Sequence, residues 1–219
     1  YTDILTELIH PSDNESNDYL DEIHGATLRM GELVNSLLNI SRLALGTFAI
    51  EPVVTDIVDL VESAIKDQQP IFTKRSQTVT FQHPDDTLKI PLDPNLMGII
   101  AQNLLSKASK YSDEGTEILV HVAKKKDQLV LEVTDHGYGI PKQQQDQIFQ
   151  KLFRAENIRT KDVEGTGLGL YIIKTILDTA GGSISFTSTE GKGTTFTVAL
   201  PKSGMKEKRG SKHLTDQIR

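Results

Sequence analysis

Four short motifs follow one another between Asn103 and Leu170, and their fixed order constrains this chain more than any other feature. Asn103-Leu104-Leu105-Ser106-Lys107-Ala108-Ser109-Lys110-Tyr111-Ser112 closes an apolar helix with polar and basic residues. Asp135-His136-Gly137-Tyr138-Gly139-Ile140-Pro141 follows a strand-like run. Ile148-Phe149-Gln150-Lys151-Leu152-Phe153-Arg154 is an aromatic pair that ends in arginine. Gly165-Thr166-Gly167-Leu168-Gly169-Leu170 opens a long apolar helix. Each motif alone says little, because glycine pairs occur in any turn. The fourth box is neither a dinucleotide fingerprint, since Leu168 and Leu170 break that spacing, nor a phosphate loop ending in Gly-Lys-Ser/Thr. Its glycines before a helix still offer backbone N–H groups and a helix N-terminus to an anion.

Together the four motifs resemble the ATP-binding catalytic domain of bacterial sensor histidine kinases, within a wider ATPase superfamily that includes DNA gyrase and the mismatch-repair ATPases. The likeness covers roughly Gly46 to Pro201, and the preceding helix extends it. It implies ATP and a magnesium ion as bound groups. Asn103 matches the family's magnesium-binding asparagine, and an amide oxygen is a suitable hard ligand. Lys110 and Tyr111 match a lysine that approaches phosphate and a tyrosine that packs along the nucleotide. Asp135 ends a strand before a glycine turn, where its carboxylate can accept from the adenine amine; guanine presents a carbonyl there and cannot donate. Gly137 and Gly139, with Ile140 after them, let the backbone approach the base. Gly165, Thr166, Gly167, Leu168 and Gly169 are expected to cradle the phosphates. Pro141 to Glu164 is long for a connection and reads as a lid. Phe149 and Phe153, four apart, are expected on one helical face, pinning it to the core. Arg154 is placed either to reach the γ-phosphate or to brace the lid.

The chain is 219 residues long, 37% hydrophobic, and carries a net charge of −6. That length allows one ordinary domain plus an appendage. The acidic balance argues against nucleic acid as the main partner. The absence of cysteine excludes disulfides and thiolate metal sites and suits a reducing compartment. No stretch approaches the length of a membrane helix. Taken with the resemblance, which implies a membrane-associated parent, the expectation is the cytoplasmic portion of a bacterial sensor.

In chain order, Tyr1 to Ile9 has helical spacing and stops before His10-Pro11. From Asp18 to Leu45, Leu20, Ile23, Thr27, Met30, Val34, Leu37 and Ser41 form a heptad seam, extended by Leu33, Leu38 and Ile40. Residues 1–45 thus read as part of a helical hairpin, its second helix at about 18–45, which resembles the dimerisation module of these kinases and implies a homodimer. Residues 46–201 read as an α/β two-layer sandwich, a mixed and mostly antiparallel sheet under three helices. The expected strands include Phe48 to Val54, ending at a Thr55 cap, and the hairpins Glu117–Ala123 with Gln128–Thr134 and Gly182–Ser188 with Thr194–Leu200. Residues 202–219 are polar, basic and unpatterned, and read as a flexible tail.

Two departures from the family pattern matter. Lys107 stands where the family has a second asparagine, so it either contacts phosphate itself or repels the metal. The phosphoacceptor box is absent: neither His10-Pro11 nor His24-Gly25-Ala26 matches it, which places the acceptor histidine upstream of Tyr1. The resemblance implies phosphoryl transfer from ATP to that histidine, and then to the receiver domain of a response regulator. One rival is a degenerate kinase that senses nucleotide or only scaffolds a dimer. The other is a gyrase-type ATPase, which needs a water-activating glutamate four residues before the asparagine; Ile99 stands there and cannot act as a base.

Overall fold

The computed structural model describes residues 14–159 and 165–214. The expected helix of the hairpin runs over Asn14–Ala44 (α1). Gly46 ends it at φ +63°, with the Leu45 and Gly46 amides bonded back to Ser41 and Leu43. The first arm, expected over residues 1–9, lies outside the described residues. Among the described residues no helix is long and apolar enough to cross a membrane.

Next come β1 (Val53–Asp56), α2 (Ile57–Lys74), β2 (Thr78–Gln82), β3 (Lys89–Leu92) and α3 (Pro94–Lys110). They are followed by β4 (Glu117–Lys125), β5 (Gln128–Asp135), a 3-10 turn (Lys142–Gln147) and the short α4 (Glu156–Arg159). The chain then forms α5 (Gly169–Ala180), β6 (Ser183–Thr189) and β7 (Gly193–Pro201). Asp93 caps α3 through its Oδ1, which accepts from Asn95 and Leu96, with Pro94 in the first turn. Such a cap stabilises a helix by about 1 kcal/mol.

The main sheet has the order β2-β4-β5-β7-β6, parallel between β2 and β4 and antiparallel elsewhere. Val120, Val133, Phe196 and Phe186 are register neighbours and form one row across it. Alternate residues of β4 (Ile118, Val120, Val122) and β7 (Phe196, Val198, Leu200) are buried, the pattern of a sheet covered on one face. The cover is α2, α3 and α5, of which α3 packs on both its neighbours. This is the expected mixed sheet under three helices, and α1 adds its C-terminal end against α5.

The structure corrects three expectations. The strand expected over Phe48 to Val54 is β1, which starts at Val53 and pairs with β3 in a separate two-stranded sheet. The α2 cap is Asp56, not Thr55, because the Asp56 carboxylate accepts from the Val58 amide. The tail expected to be flexible packs across the body from Lys202 to Leu214, with Met205 and Leu214 buried. Two isolated apolar anchors in a basic stretch have no periodicity, so the sequence pattern does not announce them.

Candidate functional site

The cleft lies where α3 ends, where β5 gives way to the glycine turn, and where α5 begins. It takes in about 640 Å³ including its open mouth, and Asp135, Lys107, Tyr111, Arg154, Gly139 and Ile140 all line it. A concave site of this size, apolar with a few convergent polar groups, suits a small ligand.

Asp135 is the last residue of β5 and pairs in register with Thr194. Its Oδ1 accepts from the backbone of Gly137 (2.9 Å) and Thr194 (3.2 Å), leaving Oδ2 for a ligand. Burial pushes this carboxyl up from 3.8 to about 6, and the two N–H donors only partly oppose the shift. Asp135 is therefore ionised at neutral pH, an acceptor for an amine.

The glycine turn docks on the end of α3. Tyr111 is the C-cap there, and its carbonyl accepts from the Tyr138 amide at 3.0 Å. A Cβ on Gly137 would lie 2.0 Å from that same carbonyl oxygen. Gly137 thus serves the close approach of two backbone segments. Ser188 Oγ accepts from the Ile140 amide at 2.9 Å, and Asn157 Nδ2 donates to the Gly139 carbonyl at 3.0 Å.

The glycine box meets α3 from the other side. Asn103 Nδ2 donates to the Ile99 carbonyl at 2.8 Å, so Oδ1 is the atom presented to α5. It lies 2.3 Å from where a Cβ on Gly169 would be, which closes that position to any side chain. Thr166 Oγ1 accepts from the Leu168 amide, and α5 has no side-chain cap, so its first-turn N–H groups remain for an anion. The amide oxygen of Asn103 fits a magnesium ligand. Among the described residues no group of three or more His, Asp or Glu could hold a metal alone. A magnesium ion here would take the rest of its shell from phosphate and water.

Lys107 lines the cleft one turn after Asn103, its ammonium 5.4 Å from the centre of the Tyr111 ring, within cation–π range. Lys110 is the last residue of α3 and does not line the cleft. Gly165 lies against the Tyr111 hydroxyl, where an added Cβ would be 3.5 Å from it.

The lid is not helical where the paired phenylalanines sit; residues 148–152 form turns, with Leu152 at φ +62°. The lid is still pinned, but through separate contacts. Phe149 meets Phe186 edge-on at 5.9 Å, and Phe186 passes the contact to Phe196. Phe153 turns into the cleft wall. The lid residues 160–164 lie outside the described residues.

Thr194, Ser188, Asn157 and Phe196 escaped the sequence reading. Thr194 and Phe196 enter because β7 pairs with β5, a long-range pairing that no local pattern reports. Asn157 had no motif around it.

Residues 92–204 match the family described as histidine kinase-, DNA gyrase B- and HSP90-like ATPase. The sensor protein SrrB of Staphylococcus aureus is 30% identical over 202 residues, covering 92% of this chain and 34% of SrrB. The chain thus spans about a third of the length of the curated relatives it matches. Among solved structures, full-length ShkA in complex with AMPPNP superposes with a TM-score of 0.72 at 20% identity, covering 86% of this chain and 39% of that one. The Acinetobacter baumannii histidine kinase AdeS gives 0.67 at 18% identity, covering 91% and 89%. The mycobacterial sensor histidine kinase MprB gives 0.59 at 24% identity, covering 69% and 97%.

Proposed function

The chain belongs to the histidine kinase-, DNA gyrase B- and HSP90-like ATPases, as the ATP-binding catalytic domain of a sensor histidine kinase, and from that premise we propose that its cleft holds ATP for phosphoryl transfer to a histidine. The observation that carries this reading is the buried Asp135, ionised at neutral pH and bonded by only one oxygen, facing a cleft that ends at an uncapped helix. Asp135 Oδ2 accepts from the adenine amine and so orients the base. The first-turn N–H groups of α5, with Gly165, Thr166, Gly167, Leu168 and Gly169 leading into them, hold the phosphates. Lys107 adds a positive charge at the cleft wall, and Lys110 one more beyond it. Arg154 lines the cleft and so supports the phosphate-contacting role over a purely bracing one. Bound magnesium, held by Asn103 Oδ1, would offset charge on the phosphates. Water is kept from the base by the lid, which Phe149 anchors.

In the transfer, an imidazole nitrogen attacks the γ-phosphorus as the bond to the β–γ bridging oxygen breaks and ADP leaves. A protein contributes to such a step mostly by positioning and charge. The acceptor lies on the first helix of the hairpin, paired in a homodimer, and a response-regulator receiver domain takes the phosphoryl group in turn. The parent is held at a membrane as a sensor. Ile99 is a buried apolar residue where a hydrolase of this superfamily keeps its glutamate, which supports transfer over hydrolysis.

Incubating the full-length protein with γ-labelled ATP should leave label on the protein as an acid-labile, alkali-stable phosphate. Release of inorganic phosphate with no label kept on protein would overturn the kinase reading in favour of a hydrolase.

A further inference from the structure

We propose that Lys202–Leu214 is a strap that latches the hinge between α1 and the α/β body. The hinge is residues 45–52, which leave the end of α1, turn at Gly46 and enter β1. Backbone groups of Thr47, Ala49 and Ile50 are bonded to the strap, while the amides of Leu45, Gly46 and Thr47 bond back to α1. The Thr47 carbonyl accepts from the amides of Ser211 and Lys212. The Ala49 amide donates to the Lys212 carbonyl at 2.8 Å. Ile50 and Lys208 exchange both of their backbone bonds, at 2.9 and 3.1 Å.

Side chains close the same latch. The Lys208 ammonium donates to the Gly46 and Phe48 carbonyls and lies 4.3 Å from the centre of the Phe48 ring. On the helix side, Arg42 near the end of α1 donates to the His213 carbonyl at 2.7 Å. The strap therefore grips α1, the hinge and the body at once, and Leu214 is buried beyond the last of these contacts.

Its other end is tied to the elements that build the cleft. Met205 donates its amide to Pro91 on β3, and its sulfur accepts from Asp93, the α3 cap. Asp93 Oδ2 in turn accepts from the Glu51 amide in the hinge. The Lys206 amide donates to the Ala180 carbonyl at the C-terminal end of α5. The strap thus holds the far ends of both helices that present Asn103 and the glycine box. A segment bonded to α1, to the hinge and to α3 and α5 fixes the angle between the helical arm and the body. Releasing it frees the body to swing about residues 45–52. The latch itself stands on these contacts; only its bearing on phosphoryl transfer rests on the function proposed above.

Gly210 supplies the test, because a Cβ there would lie 2.3 Å from the Phe48 carbonyl carbon. Gly210 is exposed, so Gly210→Ala pushes the strap off the hinge without opening the core. Arg42→Gln removes the helix contact by a second route. The chain has no cysteine, so spin labels at Glu22→Cys on α1 and Lys124→Cys in β4 report one distance, with excess unlabelled chain added to isolate single molecules. The expected result is a narrow distribution in the parent, broadened about twofold in both variants, with Ala49 and Ile50 amide exchange about tenfold faster. Faster exchange with an unchanged distribution would show that the strap does not hold α1. Unchanged exchange in both variants would show that the hinge does not depend on the strap. Should Gly210→Ala fail to fold, Arg42→Gln decides alone. A parent that binds no ATP would sink the proposed function and leave this result untouched.

Discussion

Asp135 pays for its position in the cleft. Its carboxyl is raised from 3.8 to about 6 by burial, so the folded chain binds this proton more tightly than the unfolded chain does. The stability that the proton gives is fully present below about pH 4 and is lost as pH rises through 6. At pH 7 the ionised group costs folding up to roughly 3 kcal/mol, from a shift of about two units. Asn at this position keeps an oxygen for the Gly137 and Thr194 amides and removes the charge. Asp135→Asn should therefore raise the denaturant midpoint at pH 7, by an amount that shrinks through pH 6 and vanishes near pH 4. An equal or lower midpoint at pH 7 would contradict the burial cost. Asp135 was legible in the sequence because a carboxylate before a glycine turn is local chemistry. Its partner Thr194 was not, because 59 residues separate the two and only strand pairing joins them. Gly137 was legible as a constrained position, but the Tyr111 carbonyl that crowds it was not. A sequence shows that a Cβ is missing, not which atom occupies its place.

The same division holds for whole elements. α1, α3, α5 and the two hairpins were readable, since period 3.6 and period 2 are short-range signals. β1 was misplaced because Phe48 and Ile50 are apolar for the sake of the strap and the core, and not for a ladder with β3. The lid turns were misread as helix because spacing by four also fits two unrelated contacts. The heptad seam of α1 is the element whose role is least accounted for by one chain. Ile23, Met30, Val34 and Leu37 are each more than half exposed, while Leu43 near the end of α1 is buried against the body. An apolar stripe of this length is costly in water and typical of a partner surface. The native chain should self-associate at high concentration in sedimentation. Met30→Glu, which places a charge in the seam, should sediment as a monomer. Identical sedimentation of the two proteins would remove this face from the interface.

Taken whole, the molecule is a sheet covered on one face by three helices, with the cleft at one end of α3 and α5 and the strap at the other. The order of the four motifs made this architecture readable, since each marks a place where an element ends beside the cleft. The strap was not readable, because its contacts are backbone bonds to a distant hinge. The central claim is that the cleft selects adenine through Asp135 and holds its phosphates at the start of α5. Calorimetric titration of the chain with ATP and with GTP, both with magnesium, tests it most directly. Guanine sets a carbonyl against the Asp135 carboxylate, and loss of that bond is worth at least about 1.4 kcal/mol, or tenfold in affinity. ATP bound about tenfold or more tightly than GTP is the predicted result; equal affinities, or no heat from ATP, would contradict the account.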